Sequence, residues 1–146
     1  MSTMSKDRVE RLLQCIESLS PESLPSLAAF YSDDVYFKDP FNEVRGPAAL
    51  LHIFSHMFEK LEQPRFVVSS WISEGQQCFV IWDFEFRFKQ RKPSALQTIH
   101  GISLMRFNDA GLVEYHRDYW DAAEELYEKL PLLGSLMRWL KKRVQA

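Results

Sequence analysis

At 146 residues and 17.2 kDa the chain has the size of one domain that buries most of its apolar surface without disulfide or metal staples. Its hydrophobic content of 46% excludes a disordered chain, and a formal charge of −2 argues against nucleic acid as a partner. Two distant cysteines, Cys15 and Cys78, make no disulfide framework, and no secretory apolar region follows Met1 to Lys6. A reduced, cytoplasmic protein is expected, and no apolar run reaches membrane-spanning length.

In chain order, Val9, Leu12, Leu13, Ile16 and Leu19 recur at helical spacing, which predicts an amphipathic helix from Lys6 to Leu19, ended by Ser20-Pro21. A shorter helix is expected through Leu24, Leu27, Ala28 and Tyr31. Ser32-Asp33-Asp34 stops it before a short strand, Val35 to Lys38, closed by Asp39-Pro40. Gly46-Pro47 opens a third helix with Leu50, Ile53, Phe54, Met57, Phe58 and Leu61 on its apolar face, and Pro64 marks its exit. From Arg65 the period becomes alternating, and turn signals at Glu74-Gly75, Lys89 to Ser94 and Asn108 to Gly111 divide it into four long antiparallel strands. The second strand sets Cys78, Val80, Trp82, Phe84, Phe86 and Phe88 on one face and a mixed set on the other. Asp121 with Glu124 resembles a capping box, and the helix it starts is expected to break at Pro131 and resume through Leu133 to Val144.

Three helices followed by a curved antiparallel sheet make an α+β cone with an open end, and residues 121–146 form a helical extension of this single 1–146 domain. On the last strand, alternation sets His116, Asp118 and Trp120 on one face, with Tyr115, Arg117 and Tyr119 on the other. Residues two apart on a strand lie about 6.6 Å apart, near enough for His116 and Asp118 to meet or to share one ligand atom. That face is the expected wall of a reactive pocket.

Three blocks then carry a resemblance: Phe30 to Pro40, Arg45-Gly46-Pro47-Ala48-Ala49, and Arg106 to Val113. Over roughly Lys6 to Asp121 the chain resembles the nuclear transport factor 2-like superfamily, in particular its ketosteroid isomerase and SnoaL-like polyketide cyclase branches. The resemblance implies a role for Asp39, which falls on the isomerases' aspartate base before proline; such a base works from an apolar pocket. It also puts Cys15 and Ser103 where those enzymes carry strong donors to the developing oxyanion. A thiol and a serine hydroxyl are weaker donors, so steroid isomerisation is not expected. Asp118 matches the late-strand aspartate acid-base of similar cyclases. The alternatives are an ordinary turn carboxylate at Asp39 and a satisfied buried pair of His116 and Asp118.

Other signals weigh less. His52 and His56 stand at i, i+4, the spacing of paired zinc ligands, but Ile53 occupies the position of a zinc-protease glutamate, so solvated histidines and no metal are expected. His100 and Arg106 alternate outward, as does Arg117, which counts against the Asp-Arg-Asp set of similar epoxide hydrolases. The basic tip Lys89-Gln90-Arg91-Lys92 reads as a solvated hairpin. Arg138, Lys141, Lys142 and Arg143 beside Trp139 suit a helix C-terminus better than a membrane foot.

The function expected is binding of a small apolar molecule, with cofactor-independent proton transfer by Asp118, Asp39 and His116 in a pocket walled by Trp82, Phe84, Trp120, Ser103 and Cys15. The rival is a non-catalytic binding or assembly module. In either case the mixed sheet face and last helix would make a homodimer, with no cofactor.

Overall fold

The computed structural model describes residues 5–89, 95–125 and 131–145. Helix α1 (Lys6–Glu17) is capped by Ser5, whose Oγ accepts from the Arg8 amide, and it buries Val9, Leu12, Leu13 and Ile16. It stops two residues before the apolar period does: Ser18 leaves helical geometry at φ −102° and ψ 11°, and its hydroxyl donates to the Gln14 carbonyl oxygen at 2.7 Å. Helix α2 (Leu24–Leu27) is a single turn continued by a 3-10 turn, Ala28–Phe30. The expected helix through Tyr31 is therefore corrected: Tyr31 begins strand β1 (Tyr31–Lys38). This strand kinks where its register shifts between Tyr31 and Tyr36, which leaves Asp33 and Asp34 exposed between buried Ser32 and Val35.

A three-residue strand, β2 (Glu43–Arg45), returns the chain to α3 (Pro47–Lys60). Gly46 has φ 89°, a conformation that side chains disfavour, and turns the chain so that Pro47 occupies the first helical position. Strand β3 (Leu61–Glu74) then begins four residues earlier than the sequence pattern predicts and runs through Pro64. Its place at the sheet edge explains the difference. An edge strand tolerates a missing amide, and the ladder breaks between Glu62 and Arg65, where Gln63 takes φ 50°.

Strands β4 (Gln77–Phe88), β5 (Gln97–Phe107) and β6 (Val113–Tyr119) complete a six-stranded sheet in the order β2-β1-β6-β5-β4-β3. The α+β architecture is as expected, with one refinement. β1 joins β6 in parallel, and every other pair is antiparallel. The helices pack on the inner face of the sheet, and alternate β4 residues from Cys78 to Phe86 are buried against them.

Asp121 caps α4 (Ala122–Glu125) by accepting the Ala123 and Glu124 amides at 3.0 and 3.1 Å. Residues 126–130 lie outside the described residues, so the expected break before Pro131 does too; Pro131 opens α5 (Pro131–Val144). Leu136, Trp139, Leu140 and Val144 on α5 are exposed, and Lys141 reaches Glu124 at 3.8 Å. The tip of the β4–β5 hairpin, residues 90–94, also lies outside the described residues. Among the described residues no helix is long and apolar enough to cross a membrane.

Candidate active site

The sheet and α3 border an open-mouthed chamber of about 540 Å³, within the range of about 300–1,000 Å³ usual for small-molecule sites. Its walls are aromatic. Phe37, Phe54, Phe66, Trp82, Phe84 and Phe86 line it, and Trp120 meets Phe41 edge-on at 5.5 Å at one lip. Trp82, Phe84 and Trp120 thus line the chamber without filling it. A shallower polar groove, bordered by Lys38, Arg117 and Asp121, meets the chamber at Asp118 and the Phe41–Trp120 pair.

Strand register builds the polar floor. Asp118 on β6 lies directly opposite Ser103 on β5, and Trp82 on β4 lies opposite Gly101, two residues along the same face. Trp82 Nε1 donates to Ser103 Oγ at 2.8 Å, and Ser103 Oγ donates to Asp118 Oδ1 at 2.5 Å. On the other side His116 Nε2 meets the same Oδ1 at 2.7 Å, and Tyr31 Oη meets His116 Nδ1 at 2.9 Å. Burial, reinforced by the charges of Asp118 and Cys15, pushes the Tyr31 phenol far above its ordinary range. With its proton retained, the phenol can donate to Nδ1, while Nε2 faces the Asp118 carboxylate. Phe37 holds the imidazole from its edge, ring centroids 5.0 Å apart.

The result is a carboxylate with unequal oxygens. Oδ1 accepts from both neighbours, while Oδ2 has no hydrogen bond to a described residue. No buried polar side-chain atom among the described residues lacks a partner, so the unpaired Oδ2 is an atom that solvent or a ligand reaches. Beneath it lies a void of about 20 Å³ bounded by Ser103, His116 and Asp118.

The structure brings His116 and Asp118 together as expected and adds Tyr31, which sequence reasoning missed. The polar run Ser32-Asp33-Asp34 looks like a helix stop, and the only hint was that the resembling block starts at Phe30. Two residues expected to contact a ligand stand off the main chamber wall. Ser103 is buried with its hydroxyl engaged by Asp118 and Trp82, so it positions the carboxylate and does not line the main chamber. Cys15 packs against the core from α1, is absent from the chamber lining, and has its thiol pushed up by burial. Asp39 stands at the mouth. Its Oδ1 accepts from the Phe41 and Asn42 amides at 2.8 and 2.7 Å, and Asn42 Nδ2 spans both oxygens at 3.1 Å. His52 and His56 are exposed, as expected, yet both border the chamber mouth. Among the described residues, no group of three or more His, Cys, Asp or Glu is arranged to hold a metal.

A six-stranded curved sheet wrapped over helices around an acid-bearing apolar chamber defines a protein of the nuclear transport factor 2-like fold. Residues 9–116 match the model of the SnoaL-like domain, and the chain belongs to that family. Among solved structures, a protein assigned to the SnoaL-like polyketide cyclases from Shewanella denitrificans OS-217 is similar at 15% identity and TM-score 0.68, covering 84% of this chain and 98% of its own. A hypothetical protein of ketosteroid isomerase-like fold from Catenulispora acidiphila DSM 44928, in complex with trimethylamine, is 12% identical with TM-score 0.69, covering 86% and 92%. An epoxide hydrolase of M. tuberculosis is 15% identical with TM-score 0.66, covering 92% and 94%. Identities this low show a common fold alone. No curated protein matches the chain.

Proposed function

We propose that the protein binds a small apolar molecule in the cone and catalyses acid-base proton transfer on it through Asp118, as a cofactor-independent isomerase or cyclase. The observation that carries this reading is the unequal carboxylate: Oδ1 is held from two sides, and Oδ2 is accessible beside an apolar chamber. Oδ2 would take a proton from a carbon activated by an adjacent carbonyl, and the electron pair would move onto the carbonyl oxygen. In an isomerase Oδ2 would return the proton at a second carbon; in a cyclase the enolate carbon would bond to a second carbonyl carbon of the same molecule, and Oδ2 would protonate the resulting alkoxide. Atoms and electrons balance without an oxidant or cofactor. The Tyr31–His116 and Trp82–Ser103 arms would keep the carboxylate aimed. Asp39, with both oxygens bonded within its own loop, fits a role in shaping the mouth. Water activation by an Asp-Arg-Asp set has less support, because no arginine is among the described residues lining the chamber.

Native mass spectrometry identifies the compound that copurifies, and its exchange of carbon-bound hydrogen in D₂O reports the chemistry. Asp118→Asn is expected to slow that exchange by about 10²–10⁴-fold while the cooperative melt is retained. An unchanged exchange rate in this variant overturns the proposal.

The second reading, an assembly module, draws support from the outer sheet face. Ile72, Phe79, Ile81, Ile102 and Tyr119 are exposed there, and their register makes them neighbours across four strands. A homodimer through this face is proposed alongside the chemistry. Light scattering over a range of concentrations tests it, and a concentration-independent monomer counts against it.

A further inference from the structure

We propose that the rim of the chamber selects a ligand bearing one negative charge, an apolar monocarboxylate, through a basic stripe on α3. This rests on the reading of the chamber as a small-molecule site and names the class of molecule that enters it. His52, His56 and Lys60 stand at i, i+4 and i+8, so they form one line along the helix, and all three border the chamber. They are exposed, and none makes a hydrogen bond or ion pair with a described residue. On the same helix Phe54 is buried, and Ile53 and Met57 are half-buried against the core. The stripe is therefore a polar edge set directly on an apolar wall.

Helix-dipole complementation explains Lys60 alone, since it is the only member in the last turn. It does not explain two imidazoles farther up the helix at the same mouth. Lys89 adds positive charge at this end, its Nζ donating to the Phe58 and Glu59 carbonyl oxygens. Across the mouth the charged group is Asp39, whose oxygens are taken by the Phe41 and Asn42 nitrogens. An entering carboxylate would thus be drawn to the α3 side. One ammonium with two imidazoles suits a monoanion better than a dianion. Asp118 lies deeper, so a ligand held by its acid group at the rim would lay its apolar body on Phe66 and Phe84 and bring its far end to the proton-transfer group.

The test compares biphenyl-4-carboxylate with its uncharged counterpart, biphenyl-4-carboxamide, binding to the full chain by calorimetry at low ionic strength. The acid is expected to bind about tenfold more tightly than the amide. That ratio should fall toward one in a His52→Gln/His56→Gln/Lys60→Gln variant, and also at high salt, where exposed charges are screened. Equal affinities in the unaltered protein, or a ratio the triple variant leaves in place, overturn the rim proposal and leave the chamber reading standing. Failure of both probes to bind overturns the chamber reading, and the rim proposal with it.

Discussion

Two aspartates border the same chamber and differ in what their oxygens are doing. Asp39, in the loop after β1, has its oxygens bonded to Phe41 and Asn42 within four residues of itself. Asp118, on the last strand, is held at one oxygen by partners 15 and 2 residues away and leaves the other unpaired. Local donors close a carboxylate onto its own loop, where it sets backbone shape. One donor across the sheet, Ser103, and one on its own strand, His116, converge on a single oxygen, fix its direction and leave the other open. The chemistry available to an acidic side chain here follows from which of its oxygens the donors occupy, since residue type and chamber are shared.

The strongest way to break this comparison is to neutralise each carboxylate in turn. Asp118→Asn keeps the shape and is expected to lower turnover or hydrogen exchange by about 10²–10⁴-fold, whereas Asp39→Asn should change it less than tenfold. Equal losses would mean that the loop aspartate also acts on the substrate. A second way is to disturb the arm that aims Asp118. Gly101 lies under the Trp82 indole, where an added Cβ would collide with Trp82 Cη2. Gly101→Ala must displace the ring, so it should cost about 1–3 kcal/mol by urea unfolding and weaken probe binding in the chamber. A variant as stable as the parent would show that Trp82 moves without consequence.

Much of this architecture is legible before any coordinates. Cys78 to Phe86 alternate cleanly because β4 buries one face only, and Gly46-Pro47 marks a helix start because few other pairs suit that turn. The facing of His116 and Asp118 follows from the same alternation. What escapes are features that depend on other strands. Pro64 reads as a stop, yet sits in β3 because that strand is an edge. Tyr31 reads as helical, yet a kinked strand carries it parallel to β6 and onto His116. Ser103 and Cys15 fall in the pocket by family position alone. Register turns Ser103 to Asp118, and the packing of α1 leaves Cys15 off the chamber wall. Nothing in a single sequence states which oxygen of Asp39 or Asp118 is occupied.

Tyr31 offers a finer test of the aiming arm. Tyr31→Phe leaves the buried Nδ1 of His116 without its partner, which should destabilise the fold by about 1–3 kcal/mol and loosen the imidazole that supports Asp118. Its pH signature has a definite sign. The folded chain holds the phenol proton that the unfolded chain releases near pH 10, so Tyr31 contributes stability that is lost as pH rises above that value. Burial likewise raises Cys78 from 9.0 to about 11, and its contribution fades across that window. Unfolding free energy measured from pH 8 to 11.5 should therefore decline in the parent and decline less steeply above pH 10 in Tyr31→Phe. An identical slope would place the phenol outside the coupled chain.

The smallest effect expected is at Asp39, and it sharpens the contrast most. Asp39→Ala removes the acceptor for two loop amides, so the melt should shift by about 1 kcal/mol of stability, with chamber affinity altered through the position of Phe41. Asp39→Asn keeps one oxygen able to accept those amides and should recover most of that loss. A shape-setting carboxylate predicts this rescue, because the loop needs an acceptor and not a charge. A chemical one predicts that asparagine is as damaging as alanine. Stability and hydrogen exchange measured on both variants separate the two roles within one residue, since the first follows the acceptor and the second follows the proton.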